Sequence, residues 1–353
     1  MKAVVKTGKG KGLLEWREVA EPKTGPGEVK IRVKAVSVCG SDIHIWHDAH
    51  PYWPPMILGH EFSGEIVELG AGVEGWSLGE RVVSETRTGA CGVCSACQSG
   101  APQVCKLKRP PGIGRDGAFT DFLVMPARLL HKLPANITWE QASMIEPTAC
   151  CVYGLIERVR LNAGETVVVQ GPGPIGLLTA MVAKAAGASK VIVSGTARSA
   201  GLKLEKALEI GATRVINVGA EDLEKAVMQE TGDVGADIVM ECSGNAQAIE
   251  QSFQIVKRQG KIGVLGISGK KEGVLVPWDV ALFKAPTVTF CFSSSWTAWE
   301  TVIRMISSGI LPVEKLITHR EPLTRWHEVM SALEAGRGIK AVLNPGGVLE
   351  TPK

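Results

Sequence analysis

Residues 166–184 read TVVVQGPGPIGLLTAMVAK, and the organisation of the chain follows from this stretch. A run of β-branched residues precedes three glycines spaced Gly-x-Gly-x-x-Gly, and an apolar helical pattern follows them. In such a strand–turn–helix the first glycine allows a tight turn, the second lets a pyrophosphate approach the backbone, and the third lets helix pack close to strand. The stretch predicts a dinucleotide site, against the alternative of an ordinary glycine-rich turn. The predicted contacts are Gly171, Gly173, Pro174, Ile175 and Gly176.

Strand and helix patterns alternate through residues 166–265. The predicted strands are 166–170, 190–194, 215–218, 237–241 and 261–265, and the predicted helices are 175–186, 202–209, 222–230 and 246–257. Alternation of this kind favours a parallel sheet with right-handed crossovers. Upstream, short strand patterns separated by Gly and Pro continue to about residue 135, so that part is predicted to be mostly β.

Composition sets limits on function. The chain has 353 residues, which suggests two domains, and 45% hydrophobic with 21% charged residues is typical of a soluble globular protein. The net charge is only +3 and no basic run stands out, so neither nucleic acid nor a membrane surface is an expected partner. The N-terminus is too polar for a signal peptide, and no apolar run is long enough to span a bilayer. We expect a cytoplasmic protein.

Four of the nine cysteines lie close together and give the pattern C-x2-C-x2-C-x7-C. Four thiolates on a glycine-rich loop suit one tetrahedral structural zinc ion in a reducing compartment. An iron–sulfur run usually closes sooner and places proline after its last cysteine, and unligated core cysteines would not cluster on a polar loop. The predicted zinc ligands are Cys91, Cys94, Cys97 and Cys105.

A second set of candidate ligands is dispersed along the chain. Cys39 ends an alternating strand pattern, His60 and Glu61 follow some twenty residues later, and Glu146 comes much further on. Cysteine, histidine and carboxylate are the ligands expected of a catalytic zinc with one open position. From the residues alone, a core cysteine and a structural histidine remain open alternatives.

Together these features resemble the zinc-dependent medium-chain alcohol dehydrogenases, most of all the sorbitol (polyol) and threonine dehydrogenase group. The resemblance extends over essentially the whole chain. It rests on the motifs CGSDIHIW at 39–46, GHE at 59–61, EP at 146–147, GPGPIG at 171–176 and LITHR at 316–320, together with the four cysteines. It implies a mostly-β GroES-like catalytic domain formed by residues 1–148 and 287–353, a Rossmann domain formed by residues 149–286, and an active site in the cleft between them.

The resemblance also implies roles for individual residues. Cys39, His60 and Glu61 would bind the catalytic zinc, and Glu146 would bind it directly, through water or in exchange with Glu61. Asp42 would orient the imidazole of His60. The reaction implied is hydride transfer between a secondary alcohol and a nicotinamide, and Ser41 and His44 would carry the hydroxyl proton to solvent.

The second predicted strand bears on the choice of cofactor. NAD enzymes usually place an acid roughly twenty residues after the glycine motif, where it binds the ribose hydroxyls. No acid stands at that strand end; Gly195, Thr196 and Arg198 follow it instead. Because a guanidinium matches the geometry of a 2′-phosphate, we expect NADP(H) in preference to NAD(H), with a solvated Arg198 as the alternative.

The substrate is predicted only by class. Polyol dehydrogenases usually show an Arg-Tyr pair where this chain has Cys291 and Phe292, and neither residue donates equivalent hydrogen bonds. We expect a polyol, diol or sugar-like secondary alcohol, with an L-threonine 3-dehydrogenase-type amino alcohol activity as the alternative. A non-catalytic relative and a nucleic-acid-binding zinc module are less favoured. Relatives in the group are dimers or tetramers, so a homodimer or homotetramer is expected. His47 and His50 are predicted to be exposed.

Overall fold

The computed structural model describes residues 1–270 and 272–347. These residues form two compact units. One contains Met1–Glu146 and the segment from Ser295 onward, and the other is Pro147–Ser294.

Sixteen strands are present in the described part of the chain. They are β1 (Lys2–Lys6), β2 (Leu14–Glu18), β3 (Glu28–Ser37), β4 (Met56–Ile57), β5 (Glu61–Leu69), β6 (Arg81–Ser84), β7 (Phe122–Pro126), β8 (Leu130–Lys132), β9 (Thr166–Gln170), β10 (Lys190–Gly195), β11 (Arg214–Asn217), β12 (Ala236–Glu241), β13 (Val256–Val264), β14 (Thr287–Phe290), β15 (Ile317–Pro322) and β16 (Lys340–Asn344).

The α-helices are α1 (Gly40–Trp46), α2 (Ser95–Gln98), α3 (Trp139–Ser143), α4 (Ile145–Val152), α5 (Pro174–Ala185), α6 (Glu205–Glu209), α7 (Leu223–Thr231), α8 (Ala246–Ile255), α9 (Trp278–Lys284), α10 (Trp296–Ser307) and α11 (Trp326–Glu334). Short 3₁₀ turns occupy Pro102–Val104, Ala127–Leu129, Ala197–Ser199, Val313–Leu316 and Leu323–Arg325. Single π-helical turns occupy Tyr153–Arg158 and Ala200–Leu204. No helix in the described ranges is both long enough and apolar enough to cross a membrane.

The unit Pro147–Ser294 contains a six-stranded sheet in the order β11-β10-β9-β12-β13-β14, and every pair in it is parallel. The first strand, β9, lies in the middle with Val167, Val168 and Val169 fully buried. The order reverses between β9 and β12, which makes the carboxyl ends of these strands the switch point where doubly wound folds bind nucleotides. The predicted parallel, doubly wound sheet is confirmed.

The other unit is dominated by antiparallel strands. A seven-stranded sheet follows the order β15-β16-β3-β5-β6-β8, with β7 paired to the first half of β3, and a three-stranded sheet follows β2-β1-β4. Apolar side chains from both sheets form one core that includes Val4, Ile31 and Ile66. The mostly-β character predicted for this part of the chain is confirmed.

Some element bounds differ from the sequence-based expectation: β13 begins at Val256, within the predicted helix 246–257, and two further details differ. β14 pairs with β13 in parallel, so residues 287–290 belong to the nucleotide-type sheet although the expected boundary was residue 286. The helix expected at 202–209 is a π turn, Ala200–Leu204, followed by α6.

Candidate active site

Strand pairing brings three of the dispersed candidate metal ligands together. β3 and β5 are antiparallel neighbours with Ser37 opposite Glu61, so the end of one strand meets the start of the other. Cys39 caps the N-terminus of α1 just past β3, and His60 directly precedes β5. One ligand atom from each of Cys39, His60 and Glu61 lies within 4.8 Å of the other two.

The site concentrates negative charge in a buried place. Asp42 and Glu61 are fully buried, and His60 and Glu146 are nearly so. Burial by itself lowers the pKa of His60, but the neighbouring Cys39, Asp42 and Glu146 outweigh burial and raise that pKa to about 10. Burial raises the pKa of Glu146, and repulsion from Glu61 adds to it. A divalent cation would relieve this accumulation of acidic groups.

Several buried polar atoms at the site have no hydrogen-bond partner among the described residues. They are Oγ of Ser41, Oδ1 of Asp42, Nδ1 of His60 and Oε1 of Glu61. An unpaired buried polar atom costs about 1–3 kcal/mol, so four in one place are not expected of a purely structural cluster. Sulfur, imidazole and carboxylate oxygen form the donor set of a catalytic zinc site, and the residues fit that ion.

Asp42 contacts both ends of the site. Its Oδ2 accepts a hydrogen bond from the backbone N–H of Cys39 at 2.9 Å, which fixes the start of α1. Its Oδ1 lies 3.8 Å from Nδ1 of His60, within reach of electrostatic attraction but too far for a hydrogen bond. At this distance Asp42 acts on the imidazole of His60 through charge, and raises its pKa.

Ser41 and His44 lie one turn apart on α1, so their side chains share a face of the helix. The hydroxyl of Ser41 is buried, whereas His44 is exposed to solvent. A proton released at the buried hydroxyl therefore has an exposed imidazole next to it on the same helix.

Lys340 is a residue that the sequence analysis missed. It is only 1% exposed, on β16, and its ammonium donates a hydrogen bond to Oε2 of Glu61. Burial lowers the pKa of Lys340, but attraction from Glu61 and Cys39 outweighs burial and raises it. The two partners are 279 positions apart, and Lys340 stands in an ordinary Gly-Ile-Lys context, so the sequence gives no signal for this contact.

The four clustered cysteines form a second site. Their sulfur atoms lie within 4.8 Å of one another, with Cys91–Cys105 at 3.7 Å, Cys94–Cys105 at 3.9 Å and Cys91–Cys97 at 4.0 Å. Zinc–sulfur bonds of about 2.3 Å in a tetrahedron require sulfur–sulfur edges of about 3.8 Å. All four are free thiols, and backbone N–H groups of Cys91 and Leu107 lower the pKa of Cys105 to about 6. The geometry suits a closed tetrahedral ion.

In the other unit, the glycine motif has the backbone features that the sequence predicts. Gly171 has a positive φ of 97°, and a Cβ at Gly176 would lie 1.8 Å from the carbonyl oxygen of Gly171. A Cβ at Gly173 would meet nothing within 4 Å. Gly173 is the N-cap residue of α5 and has no side chain that could bind the first N–H groups of the helix, and Pro174 begins the helix. The helix N-terminus is thus left open to an anion.

A cavity of about 240 Å³ lies at the carboxyl ends of β9 and β10. Its lining contains no carboxylate; the residues are Gln170, Gly171, Pro172, Ser194, Gly195, Thr196, Ser199, Val218, Ser243, Asn245, Gln247, Ala248 and Gln251. Of the predicted cofactor residues, Gly171, Gly195 and Thr196 line it, whereas Gly173, Pro174, Ile175, Gly176 and Arg198 do not. Arg198 is exposed on the turn between two lining residues, Thr196 and Ser199.

Four residues that the sequence singles out have different surroundings. Cys291 is buried, and its thiol faces the carbonyl groups of Gly154 and Thr289 within its own unit. Phe292 is 60% exposed. His50, predicted to be exposed, is instead half-buried, and so is His47, whose Nε2 lies 2.7 Å from Glu334.

Comparison with known proteins places this geometry in context. Residues 25–135 match the alcohol dehydrogenase GroES-like domain family, and residues 174–308 match the zinc-binding dehydrogenase family. A sorbitol dehydrogenase of Halalkalibacterium halodurans is 38% identical over 98% of this chain and 99% of its own. An L-threonine 3-dehydrogenase of Pyrococcus horikoshii is also 38% identical, over 97% of this chain and 98% of its own.

The fold is likewise shared with a solved structure. A zinc-binding dehydrogenase of Sinorhizobium meliloti bound to NADP superposes with a TM-score of 0.91 at 31% identity, covering 98% of this chain and 99% of that one. Full-length similarity at these identities establishes the family. The chain belongs to the zinc-dependent medium-chain alcohol dehydrogenases, with a GroES-like domain and a Rossmann domain, and is an oxidoreductase that uses zinc and a nicotinamide cofactor on a small-molecule substrate.

Proposed function

We propose that this enzyme interconverts a secondary alcohol and its ketone with NADP(H), at a zinc ion held by Cys39, His60 and Glu61. The observation that carries the proposal is the set of three ligand atoms within 4.8 Å of one another. In this proposal residues 1–148 and 287–353 form the catalytic domain, and residues 149–286 form the domain that binds the dinucleotide. Strand β14 lies just after residue 286 but pairs with β13 in the sheet of the dinucleotide domain.

The residues around the metal site have distinct tasks. When bound, the zinc ion would lower the pKa of the substrate hydroxyl, and the nicotinamide would exchange the hydride. Ser41 would accept the hydroxyl proton at its buried Oγ while it releases its own hydroxyl proton towards His44; Oγ has no hydrogen-bond partner among the described residues. His44, exposed on the same helix face, passes that proton to solvent. Glu146, nearly buried and close enough to His60 to act on its charge, would bind the metal directly, through water or in exchange with Glu61.

The preference for NADP(H) rests on the charges at the ribose end of the cavity. No carboxylate lines the cavity, so the usual acidic contact for ribose hydroxyls is missing there. Burial lowers the pKa of Lys203, and repulsion from Arg198 lowers it further, so these two cations lie within electrostatic reach of each other. A 2′-phosphate between them would relieve that repulsion. The NADP-bound relative supports the same choice.

A second zinc ion, bound by the four clustered cysteines, is proposed to have a structural role. Four protein ligands close the tetrahedron and leave no position for substrate. The sulfur–sulfur distances of 3.7–4.0 Å support this assignment.

A second copy of the chain is the proposed partner of the edge strand β14. Among the described residues β14 pairs only with β13, and the exposed apolar side chains of Trp278, Leu282, Phe283 and Phe290 lie on it and on α9. An unpaired apolar edge favours strand pairing across a two-fold axis. Light scattering on the wild type and Phe290→Lys tests this: a dimer or tetramer should weaken in the variant, whereas a wild-type monomer would contradict it.

The activity is tested by purified protein with butane-2,3-diol, sorbitol, xylitol and L-threonine, each with NADP⁺ and NAD⁺, followed by cofactor absorbance. Oxidation of a diol or polyol is the expected outcome. This chain is 38% identical both to a sorbitol dehydrogenase and to an L-threonine 3-dehydrogenase. An amino alcohol dehydrogenase activity is therefore the second candidate function. Selective oxidation of L-threonine would support that candidate. No turnover of any alcohol by zinc-loaded protein would contradict both.

A further inference from the structure

Glu241 is a buried carboxylate that the proposed mechanism does not use. It is the last residue of β12, at the carboxyl end of the strand where the sheet order reverses, and it is only 1% exposed. Among the described residues its side chain bonds only to Ser243 and Gly244, neither of which is charged. A buried charge is costly unless other groups compensate it, so the donors around this carboxylate indicate what it organises.

All of these donors belong to the loop between β12 and α8. Oε1 of Glu241 accepts from the N–H of Ser243 at 2.8 Å, from the N–H of Gly244 at 3.0 Å and from the hydroxyl of Ser243. Oγ of Ser243 in turn accepts from the N–H of Asn245 at 3.0 Å. Asn245 is the N-cap of α8, and its side chain accepts from two N–H groups of the first turn. A continuous chain of hydrogen bonds therefore joins the buried carboxylate to the start of α8.

The same loop packs tightly against two neighbouring loops. A Cβ on Gly171, the first glycine of the nucleotide motif, would lie 2.7 Å from the Cβ of Ser243. A Cβ on Gly266, just after β13, would lie 2.3 Å from Oε2 of Glu241. The N–H of Gly266 also donates to the carbonyl oxygen of Glu241 at 3.0 Å. Loops at the carboxyl ends of β9, β12 and β13 thus meet around this one carboxylate.

The loop and the start of α8 form one side of the cavity at the ends of β9 and β10. They contribute Ser243, Asn245, Gln247, Ala248 and Gln251 to its lining, whereas Glu241 itself does not line it. In doubly wound folds the end of the second strand, here β10, is where the ribose of the adenosine half binds. Glu241 can therefore act on a nucleotide in this cavity only through the residues that it holds.

We propose that Glu241 is a positioning residue for the cofactor: its carboxylate fixes the loop 242–245 and the N-terminus of α8 against the glycine turn, so that the cavity is preformed for the adenosine half of the dinucleotide. This inference rests on the proposed binding of a dinucleotide by residues 149–286. A preformed site binds more tightly because less ordering remains to be done on binding. A carboxylate suits this task because both of its oxygens only accept, whereas a glutamine amide turns one acceptor into a donor.

The test measures Kd for NADPH, NADH and ADP-ribose by calorimetry in the wild type and in variants. In Glu241→Gln, Kd for the cofactor that the wild type binds more tightly should rise by about 10- to 100-fold, as expected when hydrogen bonds to a charged group are lost. Kd for ADP-ribose, which lacks the nicotinamide, should rise by a similar factor. Because the loss concerns binding alone, zinc content and kcat at saturating cofactor should match the wild type.

Asp237→Asn is the matched control. Asp237 lies at the amino end of the same strand, where its Oδ2 accepts from the N–H of Thr166 at 2.8 Å, and it does not line the cavity. This variant should leave every Kd unchanged. Ser243→Ala should also weaken cofactor binding, and the double variant with Glu241→Gln should lose less than the product of the two single effects, because both residues belong to one hydrogen-bond network.

Three results would overturn the inference alone: an unchanged Kd in Glu241→Gln, an equal loss in Asp237→Asn, or fully multiplicative losses in the double variant. If Glu241→Gln does not fold, Ser243→Ala decides, and an unchanged Kd there overturns the inference. A zinc-loaded wild type that binds neither NADPH nor NADH would instead overturn the proposed function, and the inference with it.

Discussion

The ammonium of Lys340 donates a hydrogen bond to Oε2 of Glu61 in the protein interior, while Oε1 of the same carboxylate has no partner among the described residues. The lysine thus holds one carboxylate oxygen and leaves the other beside Cys39 and His60. Removing one member of a buried ion pair leaves the other charge uncompensated, which costs about 3–5 kcal/mol.

Lys340→Met should therefore lower the free energy of unfolding by about 3–5 kcal/mol in metal-free protein. The double variant Lys340→Met with Glu61→Gln should recover much of that loss, because the unpaired charge is gone. Urea unfolding of the wild type, both single variants and the double variant measures the coupling. Additive losses in the double variant would show that the two residues do not act as a pair.

The proton path on α1 predicts separate effects for its two members. Ser41→Ala removes the proposed acceptor of the substrate proton, so kcat/KM for alcohol oxidation should fall by about 100- to 10,000-fold at unchanged zinc content. His44→Gln should lose less, and imidazole added to the buffer should restore part of the rate because His44 is exposed. Steady-state kinetics with and without imidazole measure both effects. Equal, unrescued losses would contradict the path.

Two cationic side chains near the nucleotide cavity, Arg198 and Lys203, predict a preference for NADPH over NADH. In Arg198→Ala or Lys203→Ala, kcat/KM for NADPH should fall relative to NADH by about 10- to 100-fold, as expected for loss of a charge-assisted hydrogen bond of about 1.5–3 kcal/mol. Lys206→Ala is the matched control, since that ammonium pairs with Glu209 on α6. A wild type that uses NADH as well as NADPH would rule out the preference.

The four-cysteine cluster is proposed to bind one zinc ion, and removing that ion should leave the residues of the other metal site in place. Cys105→Ser should reduce zinc from two ions per chain to one and lower the melting temperature, because a structural ion contributes folding energy. Metal analysis and thermal unfolding measure the two effects. Iron and sulfide in the wild type, with visible absorbance, would instead favour an iron–sulfur cluster.

The sequence was informative where function depends on local spacing. The glycine turn, the alternating elements around it and the cysteine cluster lie within short stretches, so their geometry is encoded by neighbouring residues. Only the family resemblance predicts Cys39 and His60 as ligands of one metal ion, because the antiparallel pairing of β3 and β5 is what brings these two residues together.

Other features depend on contacts that no local pattern reveals. Lys340 reaches Glu61 across 279 positions, and a buried lysine has the same letter as an exposed one. The separation of Asp42 and His60, 3.8 Å instead of a hydrogen bond, is likewise a matter of tertiary geometry.

The central claim is that Cys39, His60 and Glu61 hold a catalytic zinc ion. The most direct measurement is zinc content per chain, together with alcohol oxidation, in the wild type and Cys39→Ser. The account predicts two zinc ions in the active wild type, and one zinc ion with no measurable turnover in a folded Cys39→Ser protein. Two zinc ions and wild-type turnover in Cys39→Ser would contradict it.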